Sequence, residues 1–207
     1  MPEQPALMLD VPSFVAGYSR ECHPSIAFAW NGKHAADFVD GNQKFRWEVV
    51  GHCIAHPEAA ALPLLADLFL ADAEWSREAW GAPQHFGELG ALLLGRGGEE
   101  ALVPFSQGFA TSFDTFGACH SITLPPFVLA RLTEATAVAL AAEQNEAATK
   151  RLSACRDLFA KLTDGTARKG WATVAPGTPV SGIRVMSPGW LHKLRAKLAS
   201  AFGRDAG

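Results

Sequence analysis

Between Lys44 and Leu162 the chain alternates apolar stripes at helical spacing with Pro or Gly breaks. That alternation constrains the fold more than any other feature. Phe45, Val49, Val50, Cys53 and Ile54 fall on one face of a helix. This helix has to stop at His56, because Pro57 disfavours helical geometry in the residue before it. Pro57 is then placed to open the next helix, with Leu62, Leu65, Leu68 and Phe69 inward and Pro63 in its first turn. A short helix from Asp72 to Trp80, closed by Gly81, carries Trp75 and Trp80. Pro83 opens another, with Phe86, Leu89, Leu93 and Leu94 apolar, and Gly95-Arg96-Gly97-Gly98 ends it. Glu99 and Glu100 suit the positive end of a following helix that runs through Leu102, Phe105 and Phe109 to near Phe113. Residues 114–125 read as a loop. Pro125-Pro126 launches the longest helix, to about Glu143, with Leu129, Leu132, Thr136 and Leu140 on one stripe. The last of the set covers about Glu146 to Leu162, with Leu152, Cys155, Phe159 and Leu162 inward, and Gly165 ends it.

The connections are short, which makes neighbouring helices antiparallel. Ala and Leu dominate, and Val plus Ile are fewer than Leu alone, a balance that favours helices packed on helices over sheets. The expected fold class is mainly all-α, built from stacked antiparallel helical hairpins. It is either a HEAT- or tetratricopeptide-like superhelix or an irregular bundle, since no fixed period repeats. With 207 residues, 48% hydrophobic and 19% charged, the chain can bury a core and is not a disordered one.

Four segments follow. Residues 1–43 are expected to be irregular and packed on the body; Pro2, Pro5 and Pro12 interrupt any early helix, although Pro12 can open a short one containing Phe14 and Val15. Within this segment Asn31-Gly32 suits a hairpin turn after Ile26, Phe28 and Trp30, while His34 to Val39 reads as helical, so a short helix or an isolated ribbon is expected. Residues 44–164 form the helical body. Residues 165–188 form a Gly/Pro-rich linker, and 189–204 a basic amphipathic helix. Its apolar stripe is Trp190, Leu191, Leu194, Leu198 and Phe202, with Lys193, Arg195 and Lys197 off it.

The net charge of −3 hides an asymmetry. Residues 1–148 sum to −11 and residues 149–207 to +8. Such a chain either folds its basic end onto its acidic body or presents that end to an anionic surface. The terminal helix could make peripheral membrane contact, anchored by Trp190. Nucleic acid is a poorer fit, because no aromatic residues interleave with the basic ones in any known binding pattern. No apolar run reaches the ~18 residues of a membrane span. Residues 1–10 carry neither the basic flank nor the apolar stretch of a secretory signal. With four cysteines (Cys22, Cys53, Cys119 and Cys155), the expectation is reduced thiols and a cytoplasmic protein.

No catalytic spacing is present. There is no GxSxG, no phosphate loop and no HExxH. His52 and His56 share a helical face, with Cys53 beside them and Cys22 a further candidate ligand. These are zinc-type donors without zinc-type spacing. They support an alternative reading as a metal-dependent enzyme or sensor, whereas the leading reading needs no cofactor. Asp67, Asp72, Glu74 and Glu78 read as an acidic, solvated helical face. Trp75 and Trp80 are either seam-packing aromatics or anchors for a partner. The candidate partner-binding residues are therefore Asp72, Trp75, Glu78, Trp80, Trp190, Lys193 and Lys197.

One stretch carries a resemblance. Glu100-Ala101-Leu102 leads to Ser106-Gln107-Gly108, then to Leu124-Pro125-Pro126, the Ala-spaced helix around Ala135 and Ala139, and Thr166-Ala167-Arg168-Lys169-Gly170. Over this third of the chain the sequence resembles Ala-rich helical proteins encoded beside bacterial type VI secretion clusters. Phe105-Ser106-Gln107-Gly108 stands where that class carries an aromatic-Ser-Gly-Gly stretch. The resemblance implies a non-enzymatic adaptor, accessory or immunity role, with another protein (a secretion component or toxin) as partner. It transfers no functional residues.

Overall fold

Asp10 is the first residue of the computed structural model that can be described, and Ala167 the last; residues 10–167 all belong to the first of two units, Met1–Ala172. The expected linker from residue 168 onward and the basic helix, with Trp190, Lys193 and Lys197, lie outside the described residues.

The segment before Lys44 is more ordered than its prolines suggested. Helix α1 (Val11–Ala16) is capped by the Asp10 carboxylate, which accepts from the Ser13 amide at 3.3 Å, and Pro12 sits in its first turn. Phe14 and Val15 are buried. A 3-10 turn follows at Arg20–Ser25, then an antiparallel bridge between Trp30 and Asp40 that encloses a second 3-10 turn, Ala35–Asp37. Asn31 holds this loop shut. Its Oδ1 accepts from the Lys33 and Val39 amides and its Nδ2 donates to the Asp37 carbonyl. Gly32, at φ +77°, makes the turn.

The body consists of α2 (Gln43–Ala55), α3 (Leu62–Ala79), α4 (Phe86–Gly97), α5 (Leu102–Phe109), α6 (Phe113–Cys119), α7 (Pro126–Ala142) and α8 (Glu146–Thr163). Four expectations need correction. Pro57 lies in a turn, and Pro63 is the proline that opens α3. The short helix expected from Asp72 is the second half of α3, because Ala71, Asp72, Ala73 and Ser76 continue the buried face with no break. Residues 113–119 are helical. Ser112 and Thr115 satisfy one another's backbone amides as a capping box, with Thr in the place usually held by Glu or Gln. Finally, α3 and α8, at 18 residues each, are longer than α7 at 17.

The fold is all-α among the described residues, and it is a bundle without a repeating pair. Hairpin partners α3–α4 and α7–α8 pack together, but α3 also packs on α5, and α5 on α8. A run of rings ties these helices. Phe69 stacks on Phe86 at 4.4 Å and on Phe105 at 5.4 Å. Phe105 meets Phe109 at 5.8 Å and Phe159 at 6.1 Å, and Phe109 meets Phe116 at 5.0 Å. Gly108 makes the α3–α5 approach possible, since a Cβ there would lie 2.6 Å from Phe69 Cε1. No helix among the described residues is long and apolar enough to cross a membrane.

Candidate functional site

Arg46 belongs to the buried face of α2, in register with Val49, Val50 and Cys53. It is fully buried. Its Nη2 donates to Asp40 Oδ2 at 2.6 Å and its Nε to Asp72 Oδ1 at 2.7 Å. Nη1 reaches the Ile26 and Ala27 carbonyls at 3.4 Å. Asp40, at the end of the N-terminal loop, also accepts the Ala29 and Asn42 amides. Asp72, on α3, also accepts Trp47 Nε1 at 3.1 Å and His85 Nε2 at 2.7 Å. A carboxylate can only accept, so the His85 proton on this edge resides on Nε2. Two carboxylates and one guanidinium thus meet in a buried, hydrogen-bonded cluster that joins the N-terminal loop, α2, α3 and the approach to α4. Such a cluster is costly to form and far costlier to leave half-made.

Aromatic rings cover this cluster and continue beyond it. Trp47 packs on His85 at 5.5 Å and on Trp75 at 5.3 Å. Trp75 meets Phe38 at 6.0 Å, Phe38 meets Phe28 at 6.3 Å, Phe28 meets Trp30 at 6.4 Å, and Trp30 meets His34 at 4.8 Å. The result is a ribbon of seven rings, six half-buried and His34 exposed. All three indole N–H groups are engaged internally: Trp30 with the Lys33 carbonyl, Trp47 with Asp72, and Trp75 with Gln43 Oε1.

The sequence-derived candidates divide sharply. Asp72, expected on a solvated acidic face, is fully buried as the hub of the ion cluster, because Arg46 and His85 supply the donors that permit burial. Trp75 is a half-buried member of the ribbon. Glu78 pairs with the neighbouring Arg77 at 2.8 Å. Trp80 stands apart. It is 77% exposed and ends α3 in the left-handed conformation, φ 59°. Phe113, not singled out in the sequence, is 75% exposed at the first position of α6. Ser76, one turn before Trp80, has its hydroxyl 3.3 Å from that of Ser112, next to Phe113, so the two exposed aromatics flank one helix junction.

The metal-type residues do not converge. His52 and His56 are adjacent, with ring centroids 4.7 Å apart, but Cys53 points into the core and burial pushes its thiol up to about 11. Cys22 lies in the Arg20–Ser25 turn, with Ser19 Oγ 3.7 Å away. Among the described residues no three His, Cys, Asp or Glu side chains gather as a metal ion would need. Burial likewise raises the Cys155 thiol to about 12 and the Cys119 thiol well above its ordinary value. His120, beside Cys119, is buried with its Nδ1 donating to the Phe116 carbonyl at 2.8 Å. Tyr18 donates to Asp67 at 2.6 Å, and burial together with this bond raises its phenol above the usual range.

No protein-family model matches this chain, and no curated protein or solved structure is significantly similar to it.

Proposed function

We propose that the protein is a non-enzymatic protein-interaction module, with Trp80 and Phe113 as its anchors. One observation carries this reading: Trp80 combines 77% exposure with a left-handed backbone. A bulky L-residue in that conformation strains the backbone, and an indole in water adds nothing to the core. Gly would serve the helix end better. A residue unfavourable on both counts for the free protein is explained by a partner that buries it, and Trp is the residue type most enriched among interface hot spots. Phe113, 75% exposed next to Ser112, is the second anchor.

The resemblance over residues 101–170 supports placing the module in a bacterial secretion or toxin system, as a cytoplasmic adaptor, accessory or immunity-type protein. Co-expression with the products of neighbouring genes tests it. The wild-type chain should co-purify with one of them as a defined complex, and Trp80→Ala with Phe113→Ala should lose that complex while keeping the same melting temperature. A complex untouched by both substitutions, or a protein that captures nothing yet turns over a substrate, overturns the reading.

A further inference from the structure

The seven-ring ribbon is larger than its structural task. Trp47 and His85 hydrogen-bond to Asp72, and Trp75 packs on Trp47, so these three side chains roof the buried ion cluster. Phe38, Phe28, Trp30 and His34 prolong the ribbon across the N-terminal loop, where the exposed Val39 adds apolar surface. Trp80 and Phe113 are not among its rings.

Its chemistry restricts what it can hold. Every indole N–H is already bonded within the protein, so the ribbon offers ring surface and no indole donor. Recognition of an extended Pro-rich chain relies on such donors to reach the peptide carbonyls, and none is free here. Ring faces attract cations through their quadrupole. The charge around the ribbon strengthens that preference. Beneath it, the buried carboxylates of Asp40 and Asp72 face the single guanidinium of Arg46, and His85 bonds the second oxygen of Asp72. Along it, the exposed Asp37, Glu48, Glu74 and Glu88 and the half-buried Glu78 accompany Phe38, Trp47, Trp75 and His85 in the chain. The accompanying cations are Lys33, Lys44 and Arg77, the last paired with Glu78. Two buried carboxylates thus lie under the rings, and acidic residues outnumber basic ones among the ribbon's neighbours in the chain.

We infer that the aromatic ribbon of Trp30, Phe28, Phe38, Trp75 and Trp47 is a docking surface for an extended, Arg/Lys-rich peptide segment of a partner protein. The cationic side chains lie over the rings and their N–H groups meet the flanking carboxylates. The Arg guanidinium is preferred over the Lys ammonium, because it is planar, weakly hydrated and stacks on aromatic faces.

The test uses the full chain and three synthetic peptides of one sequence pattern, carrying Arg, Lys or uncharged citrulline at the same positions. Binding is read by calorimetry and by quenching of Trp fluorescence. The Arg peptide should bind at least tenfold more tightly than the citrulline peptide, with Lys between them, and the affinity should fall as salt is raised. Trp30→Leu and Phe28→Leu, whose side chains do not bond the ion cluster although the backbone beside them does, should each weaken Arg-peptide binding at least fivefold while the chain still unfolds cooperatively in urea. Trp80→Ala should leave peptide binding unchanged, which separates this inference from the proposed interaction module. Equal binding of Arg and citrulline peptides overturns it. So does full affinity in both ribbon variants, or tighter binding of a single-stranded oligonucleotide than of the Arg peptide.

Discussion

Replacing Arg46 with Met removes the one cation of the buried cluster while nearly preserving its volume. The structure sets the size of the effect. Arg46 donates to Asp40 at 2.6 Å and to Asp72 at 2.7 Å, and all three side chains are fully buried. After the change, Asp40 keeps the Ala29 and Asn42 amides, and Asp72 keeps Trp47 and His85. Their hydrogen bonds survive in part; their charge compensation does not. Breaking a buried pair by removing one partner costs about 3–5 kcal/mol. Domains in general have about 5–15 kcal/mol of stability, so between about a fifth and all of the margin is at stake. For a chain of this length the melting temperature should fall by about 6–20 °C, taking about 2–4 °C per kcal/mol. Urea unfolding and calorimetry give the two numbers. The decisive comparison is the cycle with Asp72→Asn. Neutralising Asp72 removes part of the orphaned charge, so the double variant should be more stable than the sum of the singles by about 1–3 kcal/mol. A cost below about 1 kcal/mol for Arg46→Met, or strict additivity in the cycle, refutes the view that these charges act as one unit.

Other expectations concern the packing, the helix end and the thiols. Gly108→Ala places a Cβ 2.6 Å from the buried Phe69 ring, so it should cost about 1–3 kcal/mol; a neutral result in urea unfolding would show that α3 and α5 can part without penalty. Trp80→Gly relieves the left-handed strain and should raise stability by about 1 kcal/mol while abolishing partner capture; a lower melting temperature would place Trp80 among the packing residues instead. The Cys53 and Cys155 thiols sit at about 11 and 12 in the folded chain against an ordinary 9.0. Between pH 9 and 11 the unfolded chain therefore releases these protons first, and stability falls as pH rises, by up to about 3 kcal/mol for Cys53. Cys53→Ala should flatten that alkaline limb, and an unchanged limb contradicts the burial argument. Under native conditions a thiol reagent should label the half-exposed Cys22 first and the other three only as fast as the fold opens; simultaneous labelling of all four is the contrary result.

The helices of the body could be read in the sequence because apolar periodicity and proline or glycine punctuation are local signals. Phe86, Leu89, Leu93 and Leu94 are fully buried as their spacing requires, and Pro126 opens α7 where expected. Where a local signal was weak, the reading failed. The Ser112–Thr115 capping box lacks the usual acidic residue, so residues 113–119 carry no strong local signal of a helix start. Asp72 resembled a solvent-facing start of a helix, because a carboxylate in an acidic stretch gives no sign of its partners. Arg46, in step with Val49, Val50 and Cys53, was the available clue. Its donors need acceptors, and those come from positions 6 and 26 residues away.

Helix identity and the apolar faces therefore belong to the sequence, since they depend on residues three or four apart. The tertiary structure alone decided that Asp40, Arg46, Asp72 and His85 form one cluster. It alone joined rings from the N-terminal loop to those of α2 and α3, and left Trp80 exposed at the end of α3. Long-range pairing compensates buried charge and assembles surfaces, and it has no period along the chain from which it can be read.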